Sequence, residues 1–294
     1  MKKLFSALLC VIMLLTFSGC SVKDTIASYK QEYIVASLGF DRVGSKIEMT
    51  LEAVVVNSED LSFEKNSQLI TGTGDTVYGA FAEINKKTTQ PLMFNHCAAV
   101  IIGNGISGEI LKDIFDFCYN DDEINLALMF VHTENANRLL SCKPLSSVAV
   151  GYDIVSMCEV VGDETGTNFH NRFYEIESES NKPMNTIYMP YMKMLDDSFF
   201  LDGLSVFRRN DPICTLNLEQ AHILGIITDS LTKGIFYINN QKFKIESAKT
   251  KQEFAFDRVL KITLNIRLKT SGEKSEIKGQ VEKLFFYFRQ KYGD

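Results

Sequence analysis

The sequence predicts an α+β fold in which mixed sheets pack against helices, arranged as two or three domains behind an N-terminal export segment. Three observations lead there. Strict apolar–polar alternation occurs near both ends: Ile47, Met49, Leu51, Ala53 and Val55 alternate with Lys46, Glu48, Thr50 and Glu52, and Leu260, Ile262, Leu264, Ile266 and Leu268 alternate with Lys261, Thr263, Asn265, Arg267 and Lys269. A period of two gives a strand one buried and one wet face, so the first of these is expected in a sheet covered on one side. Between them, from Phe94 to Cys142, apolar strand-like runs alternate with helical periodicity, which argues for a mixed sheet with helices packed on it. The first twenty residues stand apart from both patterns.

Lys2 and Lys3 give a basic start, and Leu4 to Phe17 form an apolar run that closes on Ser18-Gly19-Cys20. The run is shorter than the ~20 residues a bilayer-spanning helix needs, so it reads as a cleaved secretion signal. Small residues at 18 and 19 followed by cysteine form a lipid-attachment box, with Phe17 bulkier than the usual leucine. Cys20 is therefore the expected lipidation site, its thiol carrying a diacylglyceryl group. Two acyl chains suffice for stable membrane attachment. The chain is expected on the extracytoplasmic face of the membrane it crossed, divided into a signal peptide (1–19), a lipidated leader (20–31), an N-terminal α+β domain (32–183) and a C-terminal α+β region (184–294).

Composition narrows the function classes. The formal charge of the 294 residues is −6, and removing Lys2 and Lys3 with the signal makes it −8. With no dominant Lys/Arg patch, nucleic acid is not an expected partner. Five cysteines remain after Cys10 and Cys20: Cys97, Cys118, Cys142, Cys158 and Cys214. Their odd number and wide spacing fit small buried hydrophobes better than a disulfide framework, with one disulfide as the alternative.

In chain order, Tyr33 to Gly39 is a strand, Phe40 to Ser45 has turn chemistry, and the alternating strand follows. Asp75 is placed to cap a helix bearing Val77, Ala80, Phe81 and Ile84, with Lys86 and Lys87 at its C-terminal end. Cys97 to Gly103 reads as a buried strand, and Ser107 with Glu109 opens a helix. Asn125 to Val131 is the next strand, Asn135 to Cys142 a short helix, and Val148 to Val160 a longer one. Thr167 is placed to cap a helix with Phe169, Phe173 and Ile176 inward, and Glu175 to Pro183 is the expected domain boundary. Ile187 to Leu195 follows, with Pro190 suggesting an edge strand. Asp202-Gly203 reads as a tight hairpin turn, Arg208 to Pro212 as another turn, and Asn217 as the cap of a helix bearing Leu218, Ala221 and Leu224. Strands follow around Asn239-Asn240, then the second alternating strand, and a closing helix carries Ile277, Val281, Leu284, Phe285 and Phe288.

No catalytic or cofactor set stands out, so the chain is read as neither an enzyme nor a metalloprotein. His96, His132, His170 and His222 are scattered without the paired spacing a metal-binding helix uses. Asp121, Asp122 and Glu123 point in different directions and fit a solvated turn better than a Ca²⁺ site. Gly103-Asn104-Gly105 lacks the third glycine and the Lys-Ser/Thr of a phosphate loop. Ser146-Ser147 reads as a helix start. The aromatic run Phe285 to Phe288 fits core packing, with an exposed interaction face as the alternative.

The order of the pieces carries a resemblance. A lipidated cysteine, a Gly39-Phe40-Asp41 turn entry, Pro91-Leu92-Met93-Phe94-Asn95-His96 leading into Val100-Ile101-Ile102-Gly103, and the helix Ile110 to Phe117 together resemble the GerC-type spore germination lipoproteins, the C subunits of germinant receptors. Gly203 to Phe207, followed by Leu216 to Leu224, resembles the start of that family's C-terminal region. The chain differs from the pattern in having Ser21-Val22 rather than Trp-Asp after the cysteine, no tryptophan, and Tyr119-Asn120-Asp121 where Arg-Asp is common. Family chains also run further, so the C-terminal region is expected to be shortened. The resemblance implies a noncatalytic subunit held on the inner spore membrane through lipid on Cys20, beside polytopic A and B receptor subunits, and a structural place for His96, its imidazole bridging backbone groups. Two other classes compete: a surface lipoprotein that binds a small solute, with a two-lobed fold and a cleft, and an exported hydrolase.

Overall fold

The two strands at the start of the domain are longer than their apolar runs suggest. β1 (Tyr33–Val43) and β2 (Lys46–Val55) pair antiparallel through Val43↔Lys46, so the turn shrinks to Gly44-Ser45 and Asp41 lies inside a strand. The computed structural model describes residues 33–55, 67–169, 171–180, 185–228, 231, 233–238, 241–255, 258–268, 277–283 and 286. The expected signal peptide, the leader with Cys20, His170, Asn239-Asn240, and Leu284, Phe285 and Phe288 lie outside the described residues.

Beyond the first hairpin come β3 (Ser67–Gly74), α1 (Val77–Asn85), β4 (Leu92–Met93), β5 (Ala99–Ile102), α2 (Gly108–Asn120), β6 (Met129–His132), α3 (Ala136–Leu140), α4 (Val150–Thr165) and α5 (Phe173–Ser180). Next are β7 (Thr186–Leu195), β8 (Ser198–Arg208), β9 (Asp211–Asn217) and α6 (Leu218–Ile227), then β10 (Gly234–Ile238), β11 (Gln241–Ala255) and β12 (Arg258–Leu268). The first nine strands form one mixed sheet, ordered β3-β2-β1-β5-β6-β7-β8-β9 with β4 beside β1. The joins β1–β5, β5–β6 and β6–β7 are parallel and the others along the path antiparallel. The sheet therefore crosses the expected 183/184 division, since β7, β8 and β9 complete it. β10, β11 and β12 form a second antiparallel sheet.

Helices cover both faces of the large sheet, which corrects the expectation of one covered side. On one face Val77 and Ile84 of α1, Leu111 and Ile114 of α2 and Phe173 of α5 pack on Phe40, Val100 and Phe130. On the other, Leu139 of α3, Ile154 and Cys158 of α4 and Ala221 of α6 pack on Ala99, Ile101 and Val131. Alternate residues of β5 and β6 thus enter opposite cores, as parallel strands covered twice require. Thr50 and Glu52, on the expected wet face of β2, are fully buried beneath the second helix layer. A third core joins Val206, Leu216, Ile223 and Ile226 to Ile245 and to Ile277 and Val281 of the helical segment 277–283.

Several local expectations move. α1 is capped by Thr76, whose side chain accepts from Gly79 N–H at 3.0 Å, rather than by Asp75. α5 starts at Phe173, so Thr167 is not its cap. Asp202-Gly203 lies inside β8, and the hairpin turn is Asp196-Asp197. Gly203 is needed there because it crosses β9 closely: at φ +156 an added Cβ would lie 1.8 Å from Leu216 O. Pro190 sits in a strand with a neighbour on each side, tolerated because β6 meets β7 only at His132↔Tyr191. Asn217 caps α6 as expected and forms a full capping box with Gln220.

Thr76→Ala is expected to lower stability by about 1 kcal/mol, as loss of a cap does. Asp75→Ala is expected to cost less than about 0.5 kcal/mol, the usual range for a surface change. Equilibrium urea unfolding of the mature chain checks both, and the reverse ranking would refute the cap assignment.

Candidate functional site

The polar groups with the most unusual surroundings are carboxylates inside the second helix layer. Glu52 projects from β2 and is fully buried. Its Oε1 accepts from Val150 N–H at 2.6 Å, and its Oε2 accepts from Gly151 N–H at 2.9 Å and from the Ser37 hydroxyl at 2.7 Å. Val150 and Gly151 open α4, where unpaired N–H groups and the helix dipole favour an anion. Gly151 permits the approach, since an added Cβ would lie 2.5 Å from Ser37 Cβ.

Asp41 repeats the device from β1. Its Oδ1 accepts from Ala136 N–H and its Oδ2 from Asn137 N–H, both at 2.8 Å, at the start of α3. Burial pushes both carboxyls above their ordinary range, and the N–H donors pull them back. A third carboxylate, Asp153 of α4, accepts from Leu145 N–H at 2.6 Å, from Ser147 N–H at 3.0 Å and from the Ser146 hydroxyl at 2.9 Å, which fixes the loop between α3 and α4. Glu52 and Asp153 are not singled out by the sequence as site residues, and Asp41 enters there only as part of the Gly39-Phe40-Asp41 turn entry. The only local signals were Asp41 beside a presumed turn and Glu52 on a presumed wet face.

A second buried pair resembles a nucleophile and its base. His132 Nδ1 lies 2.7 Å from Ser205 Oγ, joining β6 to β8, and the imidazole packs edge-on to Phe207 and against Tyr191. The residues are only 6% and 1% exposed. Burial pushes the imidazole down to about 4, which makes it a weak base at neutral pH. The pair joins strands and is closed to substrate.

The remaining sequence candidates disperse. His96 is exposed, and its backbone carbonyl accepts from the Tyr152 hydroxyl at 3.4 Å; among the described residues the imidazole makes no hydrogen bond to backbone, unlike the expected bridge. His222 is buried against Phe169. Asp121 Oδ1 accepts from Glu123 N–H at 3.0 Å, the bonding of a solvated turn. Ser147 Oγ accepts from Ala149 N–H in the turn ahead of α4, whose N-cap is Ala149 with no side-chain cap bond, so neither serine caps the helix. Cys97, Cys118, Cys142 and Cys158 are buried and Cys214 is half-buried, and among the described residues none of the five is in a disulfide. Phe286, from the aromatic run, is exposed. Among the described residues no three His, Cys, Asp or Glu converge as a metal site, and no helix is long and apolar enough to cross a membrane.

Among the described residues, a groove of about 410 Å³ lies between Lys143–Leu145 of the α3–α4 loop and Leu195–Ser198 of the β7–β8 turn. Its walls expose leucine beside acidic side chains. That suits contact with another molecule better than chemistry.

A family model described as the spore germination protein N-terminal domain matches residues 27–194. The crystal structure of the GerBC protein superposes with a TM-score of 0.48 at 13% identity, covering 87% of this chain and 82% of that one. No curated protein matches the chain.

Glu52→Gln is expected to cost about 2–3 kcal/mol, because the amide would turn N–H donors onto Val150 or Gly151 N–H in a buried site. Urea unfolding checks this, and a change below about 0.5 kcal/mol would remove the cap from the account of the fold. For His132 the folded value of about 4 lies below the ordinary 6.5. The unfolded chain therefore binds more protons between these values, and stability is lost as pH falls from 6.5 towards 4. The full effect is on the order of 3 kcal/mol. His132→Gln is expected to flatten that limb of the stability curve. The difference between the two curves isolates His132 because Asp41 and Glu52 are common to both, and parallel curves would exclude the assignment.

Proposed function

We propose, from the premise that this chain belongs to the spore germination protein family defined by that N-terminal domain, that it is a noncatalytic, lipid-tethered C subunit of a nutrient germinant receptor. The family match over residues 27–194 carries the reading. It spans the elements from β1 almost to the end of β7, including both carboxylate caps. The proposed tether is a diacylated Cys20, which holds the folded part at the outer face of the inner spore membrane and reduces its search for polytopic A and B subunits to two dimensions.

The internal chemistry supports a role exercised through surfaces. Glu52, Asp41 and Asp153 are committed to backbone N–H groups, and the His132–Ser205 pair is closed to substrate. These buried groups are thereby used in holding helices, loops and strands together.

Membrane fractionation of spores carrying wild type or Cys20→Ala tests the reading. Mass spectrometry is expected to find a diacylated Cys20 peptide in the wild type, and the variant is expected to leave the membrane fraction and lose co-purifying polytopic germination subunits. An unmodified wild-type protein would refute the tether. Normal germination on every nutrient after deletion of the gene would refute the receptor role.

A further inference from the structure

Among the described residues, the β7–β8 hairpin leaves part of a strand without a second neighbour. β7 meets β6 only at His132↔Tyr191, and from Met192 to Leu195 its ladder runs to β8 alone. An open strand edge is a template for an incoming extended chain. Charged side chains normally guard such edges, but Lys193 on this stretch is drawn towards Asp202 of β8, at 3.9 Å.

The groove of about 410 Å³ lies at the end of this open stretch. Leu145 on one wall is 53% exposed and Leu195 on the other 63%. Both walls are held before anything binds. Asp153 fixes Leu145 and Ser147 through their N–H groups, and the Ser198 hydroxyl donates to Leu195 O at 2.8 Å across the turn. A preformed site loses less freedom on binding. The charges choose among occupants. Asp196 and Asp197 are exposed at the turn, outside every ion pair among the described residues, against a single Lys143 opposite. Asp197 also helps burial push the Cys142 thiol up. With Lys193 and Asp202 included, three carboxylates stand against two ammonium groups, a net negative site that disfavours an anionic lipid surface and favours a basic side chain.

We propose that this groove receives an extended segment of a partner protein, added along Met192–Leu195 of β7, with an apolar side chain between Leu145 and Leu195 and a Lys or Arg beside Asp196 and Asp197. The proposal rests on the receptor-subunit reading and supplies its contact surface.

The test compares full-length, lipidated wild type with Asp196→Asn/Asp197→Lys and with Leu195→Ser, each solubilised from spore membranes. The amount of polytopic germination subunits co-purifying is measured, and Ser198→Cys carries a crosslinker to identify what lies in the groove. Asn is chosen at 196 because that residue has φ +55, a conformation asparagine tolerates. Both variants are expected to lose at least tenfold of the co-purifying subunits at an unchanged melting temperature, with crosslinks to one of those subunits. If the charge variant melts early, Leu195→Ser carries the comparison. Retention within twofold by a normally melting variant overturns the groove while leaving the receptor reading intact. Crosslinks only between two copies of this chain, or only to lipid, overturn it also. A wild type that brings down no membrane subunits overturns both.

Discussion

The arrangement depends on burying two carboxylates against helix N-termini. A carboxylate beneath a helix layer is costly unless its lost water is replaced by donors. Glu52 and Asp41, on neighbouring strands, find those donors in the first N–H groups of α4 and α3. The requirement runs both ways, because each helix also has an otherwise unpaired N-terminus to satisfy. Much of that face follows from it. Ser37 donates to Glu52, Gly151 makes room for Ser37, and the Asn137 amide donates to Thr50 Oγ1 at 2.9 Å. Removing either charge would leave a helix end and a strand without their common partner.

This use of acidic residues shapes what the protein can do. Asp and Glu in the interior usually invite a search for acid–base chemistry. Here each buried carboxylate faces two or more donors on a helix or loop backbone, so there is little room for a substrate atom in the same geometry. His132 and Ser205 are in the same position, with apolar rings around the imidazole. The three carboxylates and the His132–Ser205 pair are thus engaged with partners inside the fold.

Much of the fold was legible where one residue's chemistry is local. Asn217 with Gln220, the alternation of β12 and the apolar faces of α1 and α2 needed only neighbours in sequence. The failures are long-range. Period two on β2 is real, but whether Glu52 meets water depends on α4, almost a hundred residues later. Asp202-Gly203 has the chemistry of a turn, and its place inside β8 is set by the crossing of β9. The weak pattern between Glu175 and Pro183 suggested a boundary, although the strands beyond it complete the same sheet. The candidate groove was illegible for the same reason: Leu145 and Leu195 look like ordinary core leucines until their neighbours are placed.

The join between β6 and β7 shows how the sheet can carry an open edge without falling apart. A single backbone pair would be a weak link in a bare sheet. Side chains carry the load here instead, with Ile187, Met189 and Phe207 in one core and Met192, Leu201 and Leu204 in the other. His132 adds a hydrogen bond to Ser205 across the join. Because burial of apolar surface is non-directional, the hairpin can be anchored on both faces while, among the described residues, β7 from Met192 to Leu195 is laddered to β8 alone. Packing on both faces thus makes up for the single-pair ladder between β6 and β7.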